Sequence, residues 1–274
     1  MKIRYICLAL LVVLCLTACG NGLKKPEPTP TAAPRKVLMI SGSGTVTAIL
    51  SGVKATFEAD VPGYSLNILS GSSTGGGVEG ILKGALDVAA MARAAKDEET
   101  AQGVMYAEFG QSGVAVFTHP DVGLTNLTKE QVQGIFAGEI VNWAEVGGPD
   151  QGIILCVRDE SDSSTQSLRE VFLGDTLFPA TALVQTSQSD MQAVVAATPG
   201  AVGFGAWPAA LAVKAEVKGL SLDGVAPGDA ANPMKIPVGI GYMQARQADV
   251  QPLMDWLLSE KGRAALEKLE VITE

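Results

Sequence analysis

From residue 37 onwards, short apolar runs alternate with stretches of helical periodicity. The apolar runs predict strands over residues 37–40, 66–69, 87–91, 114–117 and 153–157. Among the helices between them, the clearest begins with a capping box of Thr128 and Gln131 and ends before Gly138. Strands that alternate with helices in this way predict an α/β fold whose mostly parallel sheet carries helices on both faces.

The first 35 residues carry a different pattern, typical of export. Lys2 and Arg4 precede an apolar run over 5–16 that is too short to span a bilayer comfortably. Small residues then lead directly to Cys19, and this ending resembles the bacterial lipobox. We therefore predict a signal peptide over 1–18, lipidation of Cys19 and attachment to the extracytoplasmic face of the cell membrane. A plain signal peptide and a short membrane anchor are the alternatives.

Residues 19–35 contain four prolines and few apolar residues, which predicts an extended tether between the lipid and the folded part. Cys7 and Cys15 would leave with the signal peptide, so Cys156 would remain as the one unmodified thiol. Because Cys156 lies in an apolar run, we predict a buried, inert side chain and no internal disulfide.

Composition and charge narrow the function. With 47% hydrophobic residues, a chain of 274 residues can bury a core in one or two lobes. The formal net charge of −9 argues against a nucleic acid partner, which requires a basic surface. A small anion stays possible, because a local nest of backbone N–H groups binds one even in an acidic protein.

Three segments share one pattern, in which an apolar strand is followed by a loop of Ser, Thr and Gly and then by a helix. These loops are 41–45, 70–77 and 161–164, and we call them the first, second and third loops. In open α/β sheets, ligands bind beyond the carboxyl ends of the strands, where helix N-termini present free N–H groups. Arg158 precedes the third loop, and a guanidinium suits two oxygens of an oxyanion. Together these features predict a small-oxyanion site.

Each of these features also has a purely structural interpretation. A single Ser-rich loop before a helix is most often an ordinary N-cap turn. Arg158 alone is typical of a surface ion pair with Asp159 or Glu160. An exported hydrolase or transferase is the alternative of a different class. The sequence has no Cys/His pair and no His-rich metal cluster, although a Ser/Lys dyad stays open.

Three stretches of the sequence stand out: LTKEQVQGIFAGEIVNW at 127–143, TPGAVGFG at 198–205 and the C-terminal helices at 253–269. They resemble the phosphate-binding proteins of bacterial phosphate ABC transporters, which are periplasmic solute-binding proteins of the type II fold. The resemblance implies two α/β lobes that are joined by two hinge strands and close over the ligand. Lobe 1 would comprise 36–115 and 236–274, and lobe 2 would comprise 116–235.

The resemblance also implies the function and the ligand contacts. A monomer would capture phosphate for an ABC permease without catalysis, cofactor or metal; a receptor or sensor for another oxyanion or small acid is the alternative. The contacts would be Thr45, the backbone N–H of Val46, Ser73 or Thr74, and Arg158 with Asp162, Ser163 and Ser164 of the third loop, while Ser43 of the first loop is a further candidate. The family has a ligand Asp where this chain has Ala92. Asp162 either replaces that carboxylate or caps its helix and faces solvent.

Overall fold

The computed structural model describes residues 35–273. The predicted signal peptide, the lipidation site Cys19 and nearly all of the tether lie outside these residues. Within the described range, no helix combines the length and the apolar character that crossing a membrane requires.

Strands and helices alternate along most of the described chain. The strands are β1 (Lys36–Gly42), β2 (Tyr64–Ile68), β3 (Val88–Met91), β4 (Val104–Thr118), β5 (Asn126–Leu127), β6 (Ile154–Arg158), β7 (Leu183–Gln185), β8 (Ala201–Ala206), β9 (Lys218–Gly219), β10 (Ser221–Leu222), β11 (Lys235–Met243) and β12 (Val271–Ile272). The α-helices are α1 (Gly44–Asp60), α2 (Ser73–Leu82), α3 (Asp97–Ala101), α4 (Lys129–Ala137), α5 (Ser163–Leu168), α6 (Gln188–Ala197), α7 (Trp207–Ala212), α8 (Gln247–Leu258) and α9 (Glu260–Glu267). Short 3₁₀ turns span Pro120–Val122, Trp143–Val146 and Gln244–Arg246, and a π turn over Arg169–Leu173 continues α5.

The large sheet has the strand order β2-β1-β3-β11-β4-β8-β6-β7. The outer strands are parallel, with β1 between β2 and β3 at one end and β6 between β7 and β8 at the other. The centre is antiparallel, because β11 pairs with β3 and β4, and β4 pairs with β8. The prediction of α/β architecture is confirmed, but the mostly parallel sheet is interrupted by these two long central strands.

Strand β4 connects the two sets of parallel strands. Its first part pairs with β11, as far as the match of Gly113 with Lys235. Its second part pairs with β8, beginning with Val114 opposite Ala206. The sequence predicted only residues 114–117 as a strand, and these residues lie in the continuously buried part of β4. The first part alternates between buried and more exposed positions.

Local sequence signals explain the core and the helix boundaries. The capping box at Thr128 and Gln131 forms as predicted, and Gly138 ends α4 in a left-handed conformation. Trp143 is fully buried and donates its indole N–H to the carbonyl of Gly200 at 2.9 Å. Cys156 is free and buried, and burial raises the pKa of its thiol to about 11. The prediction of a buried thiol is therefore confirmed, and the raised pKa keeps it protonated and unreactive at neutral pH.

Candidate functional site

The three loops predicted from the sequence line one cleft, with a volume of about 1240 Å³. Because β1 and β6 end at this cleft, α1 and α5 begin beside it, as expected for a ligand site at the carboxyl ends of strands. The predicted contact residues that line the cleft are Ser43, Thr45, Ser73, Thr74, Arg158, Asp162, Ser163 and Ser164.

Val46 is the predicted contact residue that does not line the cleft. Its side chain is fully buried in the hydrophobic core beneath α1. The resemblance implied a role for its backbone N–H only, and that role stays a prediction.

The first and second loops are held against each other by close backbone contact. Ser41 donates its hydroxyl to the carbonyl of Ser70 at 2.7 Å and lies 3.2 Å from the hydroxyl of Ser72. Gly42 has a φ of +142°, and a Cβ on it would lie 2.2 Å from the carbonyl oxygen of Ala90. A Cβ on Gly77 would lie 2.8 Å from the Cα of Gly42. Glycine at these two positions therefore lets the two loops meet at the cleft.

The first turn of α1 is suited to bind an anion. Ser43, the residue at the N-cap, makes no side-chain hydrogen bond to the helix, and the first turn carries no acidic residue. The side chains of Ser43 and Thr45 are 8% and 7% exposed, so their hydroxyls lie in a largely dehydrated part of the cleft. Uncapped N–H groups and the helix dipole both favour a negative ligand here.

The second loop is fixed to the end of β3 at the position where the family has an Asp. Thr74 accepts the backbone N–H of Ala92 at 3.1 Å, and Ala92 itself is buried and lines the cleft. The next residue, Arg93, donates two hydrogen bonds to the carboxylate of Glu99, at 2.7 and 2.9 Å. These bonds are the main reason that the pKa of Glu99 is lowered. The chain thus brings no carboxylate into the cleft at Ala92.

Arg158 and Asp162 form the charged centre of the third loop. One guanidinium nitrogen of Arg158, Nη2, donates to Asp162 Oδ2 at 2.9 Å, while its Nε and Nη1 are buried without a hydrogen-bond partner. The other carboxylate oxygen of Asp162 accepts the backbone N–H groups of Ser164 and Thr165, at 3.0 and 3.2 Å. Buried charged donors without partners are costly, so an anion in the cleft would relieve this arrangement.

Both structural alternatives for these two residues need correction. Arg158 does not form a surface ion pair with its sequence neighbours; its side chain is 14% exposed and its partner is Asp162. Glu160 instead binds Arg169, and Asp159 accepts from Ser161. Asp162 does cap its helix, but its side chain is only 18% exposed and pairs with Arg158 instead of facing solvent.

A fourth loop-to-helix junction lines the cleft, and sequence reasoning missed it. It joins β7 to α6 and places Thr186, Ser187, Gln188, Ser189 and Gln192 along the cleft. Ser187 accepts the backbone N–H of Asp190 at 3.0 Å, so a capping pattern was present in the sequence. The strand before it, β7, is only three residues long, and its apolar pair Leu183 and Val184 is too short a run to predict a strand.

Basic and acidic side chains share the cleft unequally. Arg93, Lys96, Arg158 and Lys235 line it together with Asp159, Asp162 and Glu170. Asp159 and Glu170 are exposed, and Asp162 is occupied by Arg158 and the α5 backbone. Arg93 is likewise bound to Glu99, so the Arg158 guanidinium, with two unpartnered nitrogens, is the group that favours an anion here although the whole chain is acidic. Within residues 35–273, no group of three or more His, Cys, Asp or Glu side chains is placed to hold a metal.

Solved structures share this architecture. A Clostridium perfringens protein described as a phosphate ABC transporter substrate-binding protein, with bound phosphate, superposes with a TM-score of 0.74. The match covers 87% of this chain and 100% of that one at 22% identity. An ABC-type phosphate transport receptor from Vibrio cholerae gives a TM-score of 0.59, covering 86% and 100% of the two chains at 24% identity. At these identities the likeness shows the fold.

Sequence comparison gives the family. The model of the PBP superfamily domain matches residues 27–257. The phosphate-binding protein PstS of Bacillus subtilis strain 168 is 30% identical over 217 residues, which cover 77% of this chain and 71% of that protein. The protein of the same name from Borreliella burgdorferi is 28% identical over 187 residues, covering 62% and 63% of the two chains. This chain therefore belongs to the PBP superfamily and, within it, to the family of the phosphate-binding protein PstS.

Proposed function

We propose that this protein is an extracytoplasmic receptor that captures inorganic phosphate and delivers it to the permease of an ABC importer. The observation that carries the proposal is Arg158, whose Nε and Nη1 are buried without partners where the Ser/Thr/Gly loops converge. An oxyanion at this point satisfies both donors and gains the N–H groups of the α1 first turn. The names of the relatives support phosphate as that oxyanion.

Binding without turnover fits the chemistry of the cleft. His119, the single histidine of the chain, does not line the cleft and accepts the backbone N–H of Asp121 at the start of a 3₁₀ turn. The one free cysteine of the described residues, Cys156, is buried and protonated. Hydroxyls, amides and a guanidinium hold an anion well, but they provide no general base with a pKa near neutrality.

We further propose that two lobes close over the ligand, with lobe 1 at 36–115 and 236–274 and lobe 2 at 116–235. The proposed boundaries fall inside β4 and at the start of β11, which are the long central strands of the sheet. A lipid on Cys19 would hold a monomer at the membrane through the Pro-rich tether of 19–35, after removal of residues 1–18.

The alternative ligand is another oxyanion or a small acid, in a transport or sensing role. Ala92 favours this alternative, because a carboxylate at that position would accept the proton that phosphate carries and sulfate lacks. A thermal-shift screen of protein that begins at Arg35 tests both possibilities with phosphate, sulfate, molybdate and small carboxylates, followed by calorimetry. We expect phosphate to give the largest shift; a larger shift with another anion, at lower dissociation constant, would overturn phosphate as the ligand.

A further inference from the structure

Helix α6 presents two side-chain amides to the cleft. The N–H donors of these amides have no hydrogen-bond partner. Gln188 and Gln192 are 8% and 4% exposed, and both line the cleft. The Nε2 atom of each is buried without a hydrogen bond. The two residues are one helical turn apart, so their side chains lie on the same face of α6. Because buried donors are almost always satisfied in folded proteins, this pair requires an explanation.

The backbone around Gln188 leaves space for its amide. A Cβ on Gly205 of β8 would lie 2.3 Å from Oε1 and 2.5 Å from Nε2 of Gln188. Any other residue at position 205 would therefore displace the amide. On its other side, the Cβ of Gln188 lies 3.9 Å from the point where a Cβ on Gly44 would stand. Gln188 thus lies between β8 and the first turn of α1.

The amides and the Arg158 guanidinium enter the cleft from neighbouring strand ends. Arg158, the last residue of β6, is paired in register with Gln185, the last residue of β7. Gln188 follows Gln185 by three residues and begins α6. All three side chains line the same cleft and keep buried N–H donors without partners, namely Nε and Nη1 of Arg158 and Nε2 of each glutamine.

We infer that Gln188 and Gln192 bind the ligand, each donating an Nε2–H hydrogen bond to an oxygen of the anion that Arg158 attracts. This inference rests on the proposed function and adds two uncharged hydrogen-bond donors to the site. The donor role follows from the negative charge of the ligand, which accepts hydrogen bonds, and agrees with the Nε2 atoms that lack partners. It also agrees with the absence of a buried, unengaged carboxylate among the described residues that line the cleft.

The experiment compares phosphate binding by calorimetry in the wild type and in Gln188→Leu and Gln192→Leu. Each substitution should weaken phosphate binding on the order of tenfold. Without ligand, each variant should melt at the wild-type temperature or above it, because removing an unsatisfied buried donor is neutral or stabilising. Gln166→Leu is the matched control: Gln166 also lines the cleft, but it is exposed and donates to the carbonyl of Glu160. Its affinity should not change.

Two further variants test the role of Gln188 in more detail. The first tests whether its side chain donates a hydrogen bond, and the second tests whether its amide must be held in position. Gln188→Glu should bind phosphate more weakly than Gln188→Leu at pH 8, because a carboxylate cannot donate and repels the anion. Gly205→Ala should weaken binding as Gln188→Leu does, and combining the two should add no further loss.

Unchanged phosphate affinity in both Leu variants, with binding lost in Arg158→Ala, would overturn the inference and leave the proposed function standing. Glutamate at 188 that binds phosphate as tightly as the wild type would overturn the donor role. A large drop in the melting temperature of both ligand-free Leu variants would assign the amides to the fold and overturn their ligand role. Wild-type protein that binds no phosphate would overturn the proposed function, and the inference with it.

Discussion

Asp162 binds Arg158 through one carboxylate oxygen and the N-terminus of α5 through the other, so that one side chain links the guanidinium to the helix that follows it. Because the two residues are four positions apart and both are largely buried, the guanidinium is held by one nitrogen while two others stay unpaired in the cleft. The pair therefore holds the guanidinium in one orientation before any ligand is present. Less side-chain ordering then remains to occur when a ligand binds.

Replacing Arg158 should reduce anion binding without unfolding the protein. Loss of a charged hydrogen-bonding partner typically costs about 1.5–3 kcal/mol, so Arg158→Ala should weaken phosphate binding on the order of tenfold or more. Arg158→Lys keeps the charge but loses the planar fork, and it should recover only part of the affinity. Calorimetry measures both variants, and circular dichroism checks the fold. Wild-type affinity in Arg158→Ala would show that the guanidinium serves only its pair with Asp162.

Two substitutions at Asp162 separate its capping role from a ligand role. Asp162→Asn keeps a good N-cap, whereas Asp162→Ala should cost about 1 kcal/mol of unfolding free energy, within a range of about 0.5–2. Urea denaturation measures this difference. The carboxylate already accepts three hydrogen bonds within the protein. We therefore expect Asp162→Asn to change phosphate and sulfate affinity by the same factor. If it selectively narrows the gap between the two anions, Asp162 accepts the proton of bound phosphate.

The sequence predicted the parts of this site that have a local signature. The first and third loops follow apolar strands that are buried, so the change from an apolar run to Ser and Gly marks them clearly. The α6 junction did not meet this criterion, because the strand before it has only three residues and its apolar run is short. Likewise, the sequence did not predict the first half of β4, which pairs with β11 in the folded protein. Tertiary contacts decide both cases, and a single sequence does not display them.

The lipid anchor has its own test outside the described residues. Cys19→Ala removes the predicted acylation site and should convert a membrane-associated protein into one that is soluble after export or remains unprocessed. Fractionation and a mass spectrum of the mature N-terminus measure the change, and Cys156→Ala, which removes a buried thiol, is the control. Wild-type protein that is fully soluble after signal cleavage would contradict the anchor.

Stability should fall in acid partly through Glu99. Its pKa is lowered chiefly by the hydrogen bonds from Arg93, and the side chain also accepts the backbone N–H of Lys96. A lowered folded-state pKa means that this stabilisation is fully present above the ordinary pKa of 4.5 and is lost as the pH falls through the lowered value. Glu99→Gln should cost about 1–3 kcal/mol at pH 7. That cost should shrink towards pH 3, whereas exposed Glu98→Gln should show little effect at either pH. An equal cost at both pH values would contradict the ionic role.

Closure of the two proposed lobes should be visible as compaction in solution. If phosphate binds between loops that belong to different lobes, its contacts with Thr45 on one side and with Arg158 on the other favour the closed form over the open one. Saturating phosphate should therefore reduce the radius of gyration measured by small-angle scattering on protein that begins at Arg35. Arg158→Ala is the control, because it removes the contact from one side and should show a smaller reduction at a phosphate concentration that only just saturates the wild type. Superimposable curves for wild type with and without phosphate, at saturation proven by calorimetry, would contradict closure and mean that the cleft keeps one form.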